Sequence, residues 1–338
     1  MKILLWFLTL LSLATLCSAQ WIKQTVNTTA SFRGLSVVNE KVIWASGTGG
    51  TVIRTIDGGK KWDVIQVPDA AKLDFRDIEA FDEKVAYILS IGNGESSRIY
   101  KTTDGGKTWK EQFRSKDEKA FYDAISCINS NTCFAMSDPI DNSFRLIRTN
   151  NGGSEWQEWP YWSRTTNGEA AFAASGTCLI VYRDGSTHTL GIVSGGSASS
   201  FYRLSLDQPS MDFARFDTPI INGSAGSGIF SIAMFDRRIG VIVGGNYEKP
   251  NEAKDNLAFS TDGGKTWKLG TGLTGYRSGV TYVDKKTIVA VGTNGSDITR
   301  DGGKTWKILG KEDLNAVAAK SKKAVWAVGP KGTVVKLK

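Results

Sequence analysis

The chain has 338 residues, a formal net charge of +8 at neutral pH, 37 glycines and 11 tryptophans. That length fits one large all-β domain or two ordinary ones. Its basic residues are scattered and form no block of like charge, so no nucleic-acid-binding arm is read here; a solvated basic surface is one reading and an acidic partner the other.

The chain opens on MKILLWFLTLLSLATLCSAQ. Lys2 gives a basic start, Ile3–Leu13 an apolar run short for a membrane span, and Cys17-Ser18-Ala19 small residues at a cleavage point. This is the layout of a secretory signal peptide, residues 1–19, cut near Ala19-Gln20. Lipidation of Cys17 is the alternative, for which Leu16 is a poor neighbour. No other apolar stretch is long enough to cross a bilayer. The expected mature chain, residues 20–338, is exported to the periplasm or beyond, is not an integral membrane protein, and carries +7 once Lys2 is lost.

From residue 32 onward a pattern of short apolar runs repeats. FRGLSVV (32–38), KVIWASG (41–47), TVIRT (51–55) and KKWDVIQV (60–67) read as four strands, with turns at Asn39-Glu40, at a glycine pair and at Asp57-Gly58-Gly59. The octapeptide TIDGGKKW (55–62) returns as TTDGGKTW (102–109), STDGGKTW (260–267) and TRDGGKTW (299–306), with degenerate copies at TNNGGSEW (149–156) and SLDQPSMDF (205–213). Its acidic or amide position falls at Asp57, Asp104, Asn151, Asp207, Asp262 and Asp301, spaced by 47, 47, 56, 55 and 39 residues. A four-stranded unit at this period predicts a β-propeller blade.

After the last copy, LNAVAAK (314–320), KAVWAVG (323–329) and TVVKLK (333–338) supply three strands and no fourth. QWIKQTVN (20–27) reads like KWDVIQVP (61–68) and is the missing strand. The expected fold is therefore an all-β, seven-bladed propeller of four-stranded antiparallel blades, closed by the N-terminal strand completing the C-terminal blade.

The octapeptide is expected to build the hairpin between third and fourth strands. The Asp accepts backbone N–H groups, the Gly pair permits positive φ, and Trp62, Trp109, Trp156, Trp267 and Trp306 pack against the neighbouring blade. Its GGKT lacks the earlier glycine of a phosphate loop in every copy. Cys127 and Cys133 bracket the turn INSN and are disulfide candidates in an oxidising compartment, while Cys178 is a buried small hydrophobe. His188 is the only histidine and no zinc spacing occurs, so neither metal nor cofactor is expected.

S/T-x-D-x-G-x-x-W is the Asp-box, or BNR repeat. The layout resembles the photosystem II stability/assembly factor family, seven-bladed propellers of cyanobacteria and plastids, and exported bacterial relatives. MSDPIDNSFRLIRT (136–149), GEAAFAASGT (168–177) and GIFSIAMFDRRIGVIVGGNY (228–247) are similar to segments of such exported propellers. The resemblance implies partner-protein binding during complex assembly through an Arg-rich patch. Some relatives are labelled oxidoreductases, but no G-x-G-x-x-G opens a helix here. FRGL and FRDI begin like the FRIP signature of sialidases without its proline, and neither a third gripping Arg nor a Tyr–Glu pair is evident.

Where the first strands begin around the channel, Arg33, Arg76, Tyr122, Phe230, Ser278 and Asn315 align, with Arg277 one position off and directed into its blade. Arg33 and Arg76 on adjacent blades suit a carboxylate or phosphate, unless nearby acids such as Asp77, Glu79 or Asp123 pair with them. Glu169 lies in a small-residue stretch where backbone can approach a ligand closely, and Asp138 or Asp141 is the nearest second carboxylate. A Glu capping loop N–H groups is the structural alternative. The expectation is an exported, monomeric, non-catalytic propeller that binds a protein or glycan partner in the cell envelope through its channel-face rim. The alternatives are a glycoside hydrolase (sialidase- or xyloglucanase-like) with Glu169 as acid, and a sugar-binding lectin.

Overall fold

The computed structural model describes residues 20–159, 163–207 and 213–338. The predicted leader, residues 1–19, and part of the degenerate box at 205–213 lie outside them. Seven antiparallel sheets follow one another along the described chain. Blade I spans 32–66, blade II 75–114, blade III 122–158, blade IV 179–217, blade V 227–269, blade VI 279–310 and blade VII 316–337. Trp21–Lys23 is the fourth strand of blade VII, paired Trp21 to Leu337, Ile22 to Lys336 and Lys23 to Val335. The seven-bladed ring is sealed by its two ends, as the unequal termini of the repeat pattern predict.

Strand position within a blade decides what each strand can contain. Second strands such as Ile43–Gly47, Ala86–Ser90, Ile288–Gly292 and Ala324–Val328 are buried at every residue, because neighbouring blades cover both faces. They accordingly read as unbroken runs of apolar and small residues. The outer Asp63–Gln66 and Lys110–Arg114 carry charge and stay partly wet. Blade V has two extra inner pieces, Glu169–Ala170 and Gly195–Gly196, added beside its first strand.

The octapeptide is a polar staple with an apolar tooth. In blade I, Thr55 Oγ1 donates to Asp57 Oδ1 at 2.9 Å and accepts the Gly59 N–H at 3.0 Å, while Asp57 Oδ1 accepts the Lys61 N–H at 3.0 Å. Blades II, III, V and VI repeat this with Asp104, Asn151, Asp262 and Asp301. Gly59 has φ +91°, and a Cβ there would meet the Trp326 ring at 2.5 Å. The tooth bites the preceding blade: Trp62 packs edge-on to Trp326 at 5.6 Å, Trp156 to Tyr87 at 6.3 Å and Trp267 to Phe201 at 5.6 Å. Trp109 and Trp306 join the equivalent apolar clusters. In blade IV, Asp207 instead accepts the His188 N–H at 2.8 Å and so braces the adjacent hairpin between first and second strands. Cys127 and Cys133 face each other across the blade III hairpin and are joined by a disulfide.

Candidate functional site: a plugged channel mouth

The first strands of blades I, II, III and V enter the ring through a kink. Pairing with the second strand skips one residue after Phe32, Phe75, Tyr122 and Ile229, so Arg33, Arg76, Asp123 and Phe230 are extra residues pushed out of the ladder. Such bulges re-aim a side chain. Tyr122 therefore does not stand on the rim with Arg33 and Arg76, because the bulge moves that place to Asp123. Tyr122 is the buried anchor equivalent to Phe32 and Phe75, edge-on to Phe113 at 5.3 Å, in the wall of a cleft of about 730 Å3 between blades II and III.

The mouth is occupied by the chain itself. Residues 171–177, in the connection from blade III to blade IV, contact five blades near the channel. The Ala171 N–H donates to Asp138 Oδ1 at 2.8 Å in blade III, and Ser175 Oγ donates to the Ser278 carbonyl at 2.8 Å in blade VI. Thr177 and Ser231 of blade V share a hydroxyl–hydroxyl bond of 2.6 Å, and Phe172 stacks on Phe230 at 3.9 Å. Arg76 Nη1 donates to the Ala173 carbonyl at 3.3 Å and Arg33 Nη1 to the Ala174 carbonyl at 3.2 Å. The small residues do allow close approach, but to the channel wall: a Cβ on Gly176 would lie 2.1 Å from Asp77 Oδ1.

Electrostatics at the plug are uneven. Arg76 is bridged to Asp74, Nε to Oδ2, at 2.7 Å. The hydrogen bond that Arg33 makes is to a neutral carbonyl, and its pKa is lowered by burial first and by Arg76 second. Two guanidiniums thus share one small region, Arg76 bridged to Asp74 and Arg33 acted on by Asp74 and Asp313 but in ion-pair contact with neither among the described residues. Arg277 is different. It is fully buried, donating Nε to Asp297 at 2.8 Å, Nη1 to the Tyr276 carbonyl and Asn294, and Nη2 to Thr274 and Asp297. Every guanidinium nitrogen is engaged inside blade VI, so Arg277 is a fastening of the fold and not part of a binding surface.

Glu169 roots the plug. Its carboxylate accepts the Thr166 N–H at 2.8 Å and the Ser194 hydroxyl, and Arg215 Nη2 lies 3.8 Å away. The side chain has no exposed surface, which is the environment of a loop-capping carboxylate and leaves a general acid no access to substrate. Asp138 holds the other end of the plug, and Asp141 lies on the rim with a distant Arg145 partner at 3.8 Å. Among the described residues no three His, Cys, Asp or Glu side chains gather as a metal-binding set.

Around the plug, burial pushes carboxyls up. Asp77 accepts the N–H groups of Ile78 and Ile125 at 2.8 Å each, yet burial lifts it to about 7; Asp138 is lifted to about 6 by the same cause. Asp123 is raised by burial and by Asp138. A carboxyl raised in the folded state stabilises fully below its unfolded value near 4 and loses that contribution as pH rises through the folded value. The thermal midpoint should therefore fall from about pH 5 to about pH 8. Asp77→Asn should flatten that slope, and a parent profile flat across the window would show these groups to be ionised throughout. The box aspartates Asp104 and Asp262 are held down to about 2, so their own effect is confined to far lower pH.

Among the described residues no helix is long and apolar enough to cross a membrane. The BNR/Asp-box repeat family matches residues 100–111 and 258–269, the boxes of blades II and V. The chain is a seven-bladed β-propeller that carries BNR/Asp-box repeats. No curated protein sequence matches it. Similar solved structures are YCF48 bound to a D1 peptide (16% identity, TM-score 0.67, 94% of each chain covered) and YCF48 from Cyanidioschyzon merolae (19%, 0.61, 94% of this chain and 99% of that one). U3-55K, at 13% identity, has TM-score 0.61 over 94% of this propeller and 98% of its own chain. At these identities the likeness is one of fold.

Proposed function

We propose that this propeller is an exported, non-catalytic binding protein that takes a segment of a partner protein across its plugged mouth. The observation that carries the reading is the Arg33–Arg76 pair: two partly exposed guanidiniums side by side, bound to plug carbonyls where a carboxylate would bind more strongly. The aromatic ground beside them, Phe172 stacked on Phe230 with Tyr247 half-exposed, suits an apolar neighbour of that carboxylate. That the similar propeller YCF48 has been solved with a D1 peptide supports a protein partner. The leader pattern of residues 1–19 and the Cys127–Cys133 disulfide support an oxidising, exported setting.

The test is affinity capture from an envelope extract with immobilised residues 20–338. A specific protein should be retained by the parent and lost from an Arg33→Gln/Arg76→Gln variant whose melting curve confirms that it is folded. Equal recovery on both would remove this face from the proposal.

A further inference from the structure

The opposite face, where the octapeptide hairpins lie, carries a second feature. The turns joining first and second strands of blades IV and V enclose a cleft of about 500 Å3, lined by Tyr182, Arg183, Met234, Phe235, Arg237 and Arg238 among others. All three arginines are exposed. Arg183 and Arg237 make no hydrogen bond or ion pair with the described residues, and Arg238 uses only Nε, on the Thr261 carbonyl at 3.2 Å. Asp236, the acid between them, is turned into its own hairpin, where Oδ1 accepts the N–H groups of Arg238 and Ile239 at 2.8 Å each. Lys285, on the neighbouring turn of blade VI, adds a further positive charge that acts on Asp236.

Phe235 belongs to the same wall. It is 40% exposed, and its position is set by a tilted contact with Tyr282 at 5.5 Å. A fixed, half-exposed aromatic ring among unpaired guanidiniums calls for an occupant with carboxylates and an apolar side chain. Guanidinium forks donate two parallel N–H bonds to a carboxylate and lie against peptide and aromatic planes, which ammonium groups do not. A bilayer surface fits the shape less well. Interfacial binding needs a broad apolar face, whereas this site is concave with one large exposed apolar side chain.

We propose that the cleft between the Arg183 and Arg237 turns binds an acidic protein segment with an apolar residue seated on Phe235. This goes beyond the mouth-binding reading, because the two sites lie on opposite faces and share no residue. A propeller holding one segment on each face would bridge two parts of an assembly.

Fluorescence anisotropy can decide it, using a short labelled peptide of Glu and Asp around one central Phe. The parent should bind with an affinity that falls as salt is raised. The Arg183→Glu/Arg237→Glu variant should bind about tenfold or more weakly, the scale of losing charge-assisted contacts. Both substitutions are on exposed turns, so the melting midpoint should not move. Arg33→Gln/Arg76→Gln should bind the peptide like the parent, which separates this cleft from the mouth. Equal binding by parent and Arg183→Glu/Arg237→Glu would overturn the proposal. So would retention by phosphatidylglycerol vesicles without any peptide binding.

Discussion

Trp21→Ala should lower the unfolding free energy by about 3–5 kcal/mol, the range for truncating a buried aromatic side chain. Trp21 is 5% exposed, donates its indole N–H to Ser296 Oγ at 2.9 Å, and packs with Val289, Val291, Ile298 and Leu309 of blade VI. It is the only large side chain that the closing strand contributes to the core, since Ile22 is 44% exposed. Removing the strand altogether should do more than subtract that packing. The third strand of blade VII, Val334–Leu337, would become a bare edge and a template for intermolecular pairing. Urea unfolding of the point variant and size-exclusion of a chain beginning at residue 28 would measure the two effects. A monodisperse truncation with the parent's midpoint would mean that the ring is held by something other than its ends.

Arg277→Met should cost about 3–5 kcal/mol for a different reason. Arg277 and Asp297 are both fully buried and bonded to each other, with Thr274 adding a bond to each. Loss of the guanidinium would leave the Asp297 carboxylate in a low-dielectric interior with only the Thr274 N–H and hydroxyl for company. The second substitution tells burial from bonding. In Arg277→Met/Asp297→Leu no charge is stranded, so much of the loss should return. If the double variant is as unstable as the single, the network positions the backbone of blade VI rather than neutralising a charge.

Five of the blades were legible because their turns are spelled out by the box. Each box must offer a hydroxyl, a carboxylate or amide, two positive-φ glycines and a tryptophan at fixed spacing, and few other residues can substitute. Closure was legible from a mismatch, three strands at one end and a lone one at the other. The rim was legible except where bulge and sequence part company. Phe32-Arg33 and Phe75-Arg76 are an inward aromatic followed by an outward charge, and Tyr122-Asp123 is the same pair. Alignment on the Phe that opens FRG, FRD and FYD put Tyr122 on the rim, whereas alignment on the buried aromatic before each bulge puts Asp123 there.

Arg277 shows the same one-residue distinction from the other side: it holds the inward place, so its charge is met within the blade. The plug could not be read in advance. GEAAFAASG has no periodicity, and its partners lie on five different blades, so nothing local encodes where it goes. The one hint was that the connection carrying it makes the repeat spacing rise to 56 residues.

Proteins built from repeats ordinarily melt like a zipper, since each unit touches only the next. Here a central strap ties together units that are not neighbours, so loosening any one of them disturbs bonds made to four others. Frayed forms with a few units undone are correspondingly penalised, and denaturation becomes a single concerted event.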